Sequence, residues 1–168
     1  MSWVMMLFVG IDPGKKGAAV ALAEDGSVFS SLLLPHTGKD FDVREFLGWI
    51  EQICWDSGEP LATVSVIIEA LGSRPHARMG ASSAITMGKN WGRLEGTLAG
   101  LKCRYDIVTP QKWQKEICPG GGDSKDRSIA ACKRLVPALD LKPGRRTKDH
   151  DGLADAACIA EYCRRVFK

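Results

Sequence analysis

The stretch from position 4 to 14, Val-Met-Met-Leu-Phe-Val-Gly-Ile-Asp-Pro-Gly, decides how this chain folds. Val4–Ile11 is a continuous apolar run of strand length, which predicts a buried strand. It stops at Asp12, and Pro13-Gly14 turns the chain. Gly17–Ala23 reads as a second strand. Glu24-Asp25-Gly26 is a hairpin signal, and Ser27–Leu34 follows as a third strand. The chain is therefore expected to open with a three-stranded antiparallel meander whose first strand delivers a carboxylate, Asp12, at its end.

Downstream the period changes. Asp42–Trp55 carries Val43, Phe46, Leu47, Ile50 and Cys54 at helical spacing, with Asp42 as N-cap. Val64–Ile68, broken only by Ser65, predicts another buried strand, and it ends in Glu69. Ala70–Gly80 is a loop rich in Gly, Pro, Arg and His. Ala81–Leu101 is expected to be helical despite Gly88, Gly92, Gly96 and Gly100. Each glycine weakens a helix by about 1 kcal/mol, so the four-residue repeat makes sense if that face allows close approach of a helix or backbone. A membrane pairing motif is excluded, because Lys89, Asn90, Arg93 and Glu95 interrupt the segment.

Arg104–Val108 predicts a short strand. Thr109-Pro110 opens a short helix through Ile117, with proline at the first helical position. Pro119-Gly-Gly-Gly is a break. Asp123 or Ser124 caps a helix to about Val136, Pro137–Asp149 is a basic loop, and Asp151–Phe167 is the last helix. The order βββ-α-β-α-β-α-α-α is an α/β pattern. It predicts a mixed five-stranded sheet, antiparallel over its first three strands and parallel thereafter, flanked by helices. No internal repeat appears, and residues 1–168 are read as a single domain.

Composition is that of an ordinary globular chain. The net charge of +3 says little, but its distribution says more. Gly72–Leu94 holds no acid and carries Arg74, Arg78, Lys89 and Arg93. A second basic stretch holds Lys142, Arg145, Arg146 and Lys148. Such stretches are either solvated surface or polyanion-binding faces. Six cysteines form no CxxC pair and no zinc spacing, which favours free thiols in a reducing compartment. The apolar N-terminus has no basic flank or cleavage-like site and is too short to span a bilayer. A cytoplasmic location is expected, with no membrane partner.

Asp12, Glu69, Asp151 and Asp155 all stand where an apolar strand ends or a helix begins. Asp12 alone could simply cap its turn. Glu69 closing an apolar strand is costly to desolvate unless it is paired or bound to metal. Asp151 and Asp155 share one helix face, where like charges repel and a cation relieves the repulsion. The helix dipole accounts for Asp151 but poorly for Asp155. Oxygen donors without His or Cys clusters select Mg²⁺ or Mn²⁺. Two such ions, about 3.5–4 Å apart, activate a water and stabilise the leaving oxygen of a phosphodiester.

Four segments, Val-Gly-Ile-Asp-Pro-Gly (9–14), Val-Ile-Ile-Glu-Ala (66–70), Thr-Pro-Gln-Lys-Trp (109–113) and Asp-His-Asp-Gly-Leu-Ala-Asp-Ala-Ala-Cys-Ile-Ala-Glu-Tyr (149–162), resemble the RuvC-type Holliday junction resolvases, most of all phage-encoded and organellar members. The resemblance covers nearly the whole chain, in order. It implies a ribonuclease H-like fold, a homodimer, and paired Mg²⁺-dependent cuts across a four-way DNA junction, with two ions per site. By position it assigns catalysis and metal binding to Asp12, Glu69 and Asp155. Asp151 is the nearest match to the fourth acid, with His150 and Asp149 as rivals. Such an enzyme would work at the nucleoid, or in host cytoplasm if phage-encoded. Candidate nucleic-acid contacts are Arg74, Arg78, Lys89, Lys112, Lys125, Arg145, Arg146 and Lys148. Ala70–Gly80 lacks the aromatic that family members can carry there. Alternative readings are a related nuclease acting on flaps, forks or RNA–DNA hybrids, an actin-like or sugar-kinase-type ATPase fragment, and a non-catalytic nucleic-acid-binding module.

Overall fold

Alternation along the strands builds two cores, one on each side of a central sheet. The computed structural model describes residues 5–72 and 79–168. Strands β1 (Leu7–Asp12), β2 (Ala18–Leu22) and β3 (Val28–Leu33) form the opening meander. A two-stranded ribbon, β4 (His36–Thr37) and β5 (Asp40–Phe41), precedes helix α1 (Val43–Ser57). Then come β6 (Val64–Glu69), α2 (Ala81–Leu101), β7 (Arg104–Val108), α3 (Pro110–Ile117), α4 (Ser124–Leu135) and α5 (Asp151–Phe167). The five-stranded sheet has the order β3-β2-β1-β6-β7. Pairing is antiparallel from β1 to β3 and parallel for β1–β6 and β6–β7. This is the sheet that the sequence predicts.

Leu7, Val9 and Ile11 point to one side of the sheet with Val64, Val66 and Ile68, where α1 and α2 cover them through Phe46, Ile50, Ile53, Leu94 and Leu98. Phe8 and Ile67 point to the other side, under α5. Gly10 shares that second face. A methyl group on it would collide with the backbone of Ala156, Ile159 and Ala160, so α5 lies directly on β1. The period of two then places Asp12 and Glu69 on the α5 side, at adjacent strand ends. Ile11 and Ile68 are register partners, and the two acids are the next residues along.

Helix α5 is buried from Gly152 to Cys163 apart from Asp155, because the sheet lies beneath it and α3 and α4 pack against its other flanks. Its polar exception in the interior, Glu161, is matched by Arg164 and Arg165, each at 2.8 Å.

Several boundaries differ from the sequence reading. β1 begins at Leu7, opposite Val64 of β6, and Val4, where the sequence predicts the strand to start, lies outside the described residues. The β4–β5 ribbon is too short to leave a periodic signal, and Asn90 of α2 holds it in place. Asp42 caps α1 as expected, accepting from the Glu45 N–H at 3.1 Å. Thr109 makes no side-chain cap bond. The glycine repeat of α2 differs most. A Cβ built on Gly88, Gly92, Gly96 or Gly100 meets nothing within 4 Å among the described residues. No close approach among the described residues explains that face.

Candidate active site

The strand ends and the start of α5 form one rim, and the four acids stand on it, each half-buried. Asp12 accepts the Gly14 N–H at 3.0 Å, which ties the carboxylate to its own turn. Burial pushes its pKa up to about 6. The Gly14 bond opposes this, and the charges of Asp155 and Asp151 add to it. Glu69 is pushed up to about 7, again by burial first and then by Asp12 and Asp155. Asp155 is raised by burial and by Asp151. Asp12 and Asp155 link the set: Asp12 feels Asp155 and Asp151, Glu69 feels Asp12 and Asp155, and Asp155 feels Asp151.

Two tryptophans fix Glu69. The Trp113 indole N–H donates to its Oε2 at 2.7 Å, and the Trp91 indole donates to its backbone oxygen at 3.0 Å. Trp113 is fully buried, so the donor cannot swing away. Trp113 lies inside a segment that the sequence reading singles out, but its role as a carboxylate donor needs the parallel β6–β7 crossover to bring α3 under Glu69. The Ser128 hydroxyl is a further unforeseen neighbour. It donates to Lys125 O at 3.1 Å and also lies close enough to Asp155 to lower its pKa.

The three candidates for the fourth position have different surroundings. Asp149 faces away into ion pairs with Lys133 at 2.6 Å and Lys142 at 3.9 Å. His150 is buried and caps α5, its Nδ1 accepting the Leu153 N–H at 3.2 Å. Burial and nearby Arg146 hold it neutral-leaning, with its pKa lowered. Asp151 opens α5 and interacts electrostatically with Asp12 and Asp155. Its partner is Lys125, at 2.7 Å, which lowers its pKa.

Among the described residues, no three His, Cys, Asp or Glu side chains form a ready metal cage. Trp113, Lys125 and the Gly14 N–H each hold one acid, so a shared cation has to compete with them. The donor chemistry nevertheless fits a hard divalent ion: four carboxylates, no softer ligand, and three of them raised by burial and mutual repulsion.

The basic candidates divide. Lys125 joins the rim. Lys89 is spent on Asp40 at 2.8 Å, with Arg93 on the same acid at 3.3 Å. Lys112, Arg145, Arg146 and Lys148 are exposed. Arg74 and Arg78 lie outside the described residues. All six cysteines are free, and five are buried. No described helix is long and apolar enough to cross a membrane.

A five-stranded mixed sheet with this order and these flanking helices is a ribonuclease H-like fold. Within that class the fold is that of RuvC. Thermus thermophilus RuvC superposes with a TM-score of 0.59 at 14% identity, over 96% of this chain and 94% of that one. T. thermophilus RuvC in complex with a Holliday junction substrate gives 0.57, also at 14% identity, over 96% and 93%. No family model matches the chain, and no curated protein matches it by sequence. The likeness is one of fold.

Proposed function

We propose that this chain is a metal-dependent endodeoxyribonuclease that resolves four-way DNA junctions by paired cuts. The observation that carries the reading is the gathering of Asp12, Glu69, Asp151 and Asp155 on one rim. The fold supports it, since a protein of the same fold was solved with a Holliday junction substrate.

In this reading Asp12, Glu69, Asp151 and Asp155 hold two Mg²⁺ or Mn²⁺ ions. When bound, the ions supply an activated water and charge stabilisation for the leaving 3′ oxygen. The chain supplies placement. Asp12 sits on a strand end buried on both sides, and Trp113 orients Glu69. Asp155 is carried by a helix locked into the core, which limits its freedom to drift. Lys125 is positioned to trade Asp151 for a substrate phosphate when metal takes the acid. Exposed Lys112, Arg145, Arg146 and Lys148 supply phosphate contacts that steer the DNA.

A four-way junction needs two coordinated cuts, which a two-fold dimer provides. The open glycine face of α2 supports a homodimer, because glycines that cost helix stability and touch nothing among the described residues suit close approach by a second copy.

The test sets a labelled four-way junction beside a flap and an RNA–DNA hybrid, with Mg²⁺. Symmetric paired nicks in the junction are expected. Preferential cutting of flap or hybrid would assign the same acids to the related nuclease reading.

A further inference from the structure

Beside the acid rim runs a groove of about 510 Å³, walled by the turn after β1, the β4–β5 ribbon and the first turns of α2. We propose that this groove seats the nucleic-acid strand on one side of the cut, through its phosphates. The inference rests on the nuclease reading above and adds where the strand lies.

Position is the first argument. Pro13 lines the groove and is bonded to Asp12, so the groove, on the α2 side of the sheet, opens at the strand end whose carboxylate faces the α5 side, and a strand seated there reaches the acids across the end of β1. Charge is the second. Lys15 and Lys39 line it from opposite walls, both exposed, and neither makes an ion pair among the described residues. No carboxylate lines it. The nearest acid on the ribbon, Asp40, is neutralised by Lys89 and Arg93. Clustered cations with no offsetting acid attract a polyanion. Chemistry is the third. Ser82 and Ser83 present exposed hydroxyls that can donate to phosphate oxygens, and Met87 offers an apolar wall suited to a sugar face.

The groove is also preformed. Asn90 accepts from Phe41 N–H at 3.0 Å and donates to Lys39 O at 2.8 Å, which fixes the ribbon against α2. Lys39 is therefore held at a set height above the helix. Neither Lys15 nor Lys39 falls in the basic stretches that stand out in the sequence, because they are single lysines brought together by the turn and the ribbon.

The experiment measures junction affinity against salt in the Glu69→Gln background, with and without Lys15→Ala/Lys39→Ala. Each phosphate contact contributes about 0.9 to the log–log salt slope. The double variant should flatten the slope by about 1–2 and weaken binding roughly tenfold near 0.1 M salt. Junction DNA should also slow alkylation of a Ser83→Cys protein. Unchanged slope and affinity, or an equal loss from Arg44→Ala on α1, would overturn the inference while junction cutting by the wild type keeps the nuclease reading intact. A wild type that binds no junction, flap or hybrid defeats both.

Discussion

Trp113 donates its indole N–H to Glu69 Oε2 at 2.7 Å. A buried donor aimed at a carboxylate favours the charged form, and here it opposes the upward push of burial. Trp113→Phe keeps most of the packing and removes the bond. Losing such a bond costs about 1–3 kcal/mol. The variant should fold, cut more slowly, and reach full rate only at higher pH than the wild type. An unshifted pH–rate profile would show that Trp113 serves packing alone.

Asp12→Asn and Glu69→Gln should bind the junction and fail to cut it. Loss of a group that merely supports a metal ligand costs about 10–100-fold, so loss of a ligand should cost at least that. Single-turnover cleavage with matched binding curves gives the comparison. Equal cleavage by either variant removes that acid from the mechanism.

Stability should depend on pH in a direction set by these acids. Asp12 and Glu69 are raised from 3.8 and 4.5 to about 6 and about 7. Their neutral forms are the ones the fold favours, so their contribution is complete below the unfolded values and is lost as pH rises through the folded ones. Without divalent ions, the melting temperature should fall between about pH 4 and pH 7. Mg²⁺ should restore it at the upper end, since binding selects the ionised acids of the folded state. Glu69→Gln should flatten the profile. A profile that is flat in the wild type and indifferent to Mg²⁺ would count against a shared metal site.

Gly10→Ala tests the seat of α5. The added methyl group meets helix backbone, which cannot rotate aside as a side chain could. Overpacking of this kind costs about 1–3 kcal/mol, a fall of about 2–4 °C per kcal/mol for a domain of this size. Cleavage should drop by more than stability predicts, because α5 carries Asp155. Gly92→Ala is the counterpart. It meets no described atom and should add about 1 kcal/mol of helix stability to a monomer. In a dimer built on that face, sedimentation should show weaker association.

Sequence patterns carried the mixed five-stranded sheet well, because Val64–Ile68 and the run ending at Ile11 are apolar stretches of strand length, but the order β3-β2-β1-β6-β7 comes from the structure. They also carried Asp12 and Glu69, whose shared side follows from counting in twos. Other features depend on tertiary neighbours. The Lys133 pairing that engages Asp149 joins α4 to the loop before α5, and no local spacing announces it. The glycine repeat was legible as a demand for close approach, but nothing local said that no described part of the chain would meet that demand.

Helix α5 has a further consequence. It is the most enclosed of the described helices, and its first two turns carry Asp151 and Asp155. Enzymes often keep their working groups on segments that open readily. Here two of the four candidate carboxylates ride on a helix expected to be among the last segments to exchange its amide hydrogens. Loss of activity on heating should therefore coincide with global unfolding, with no earlier stage in which the body survives and the site has come apart.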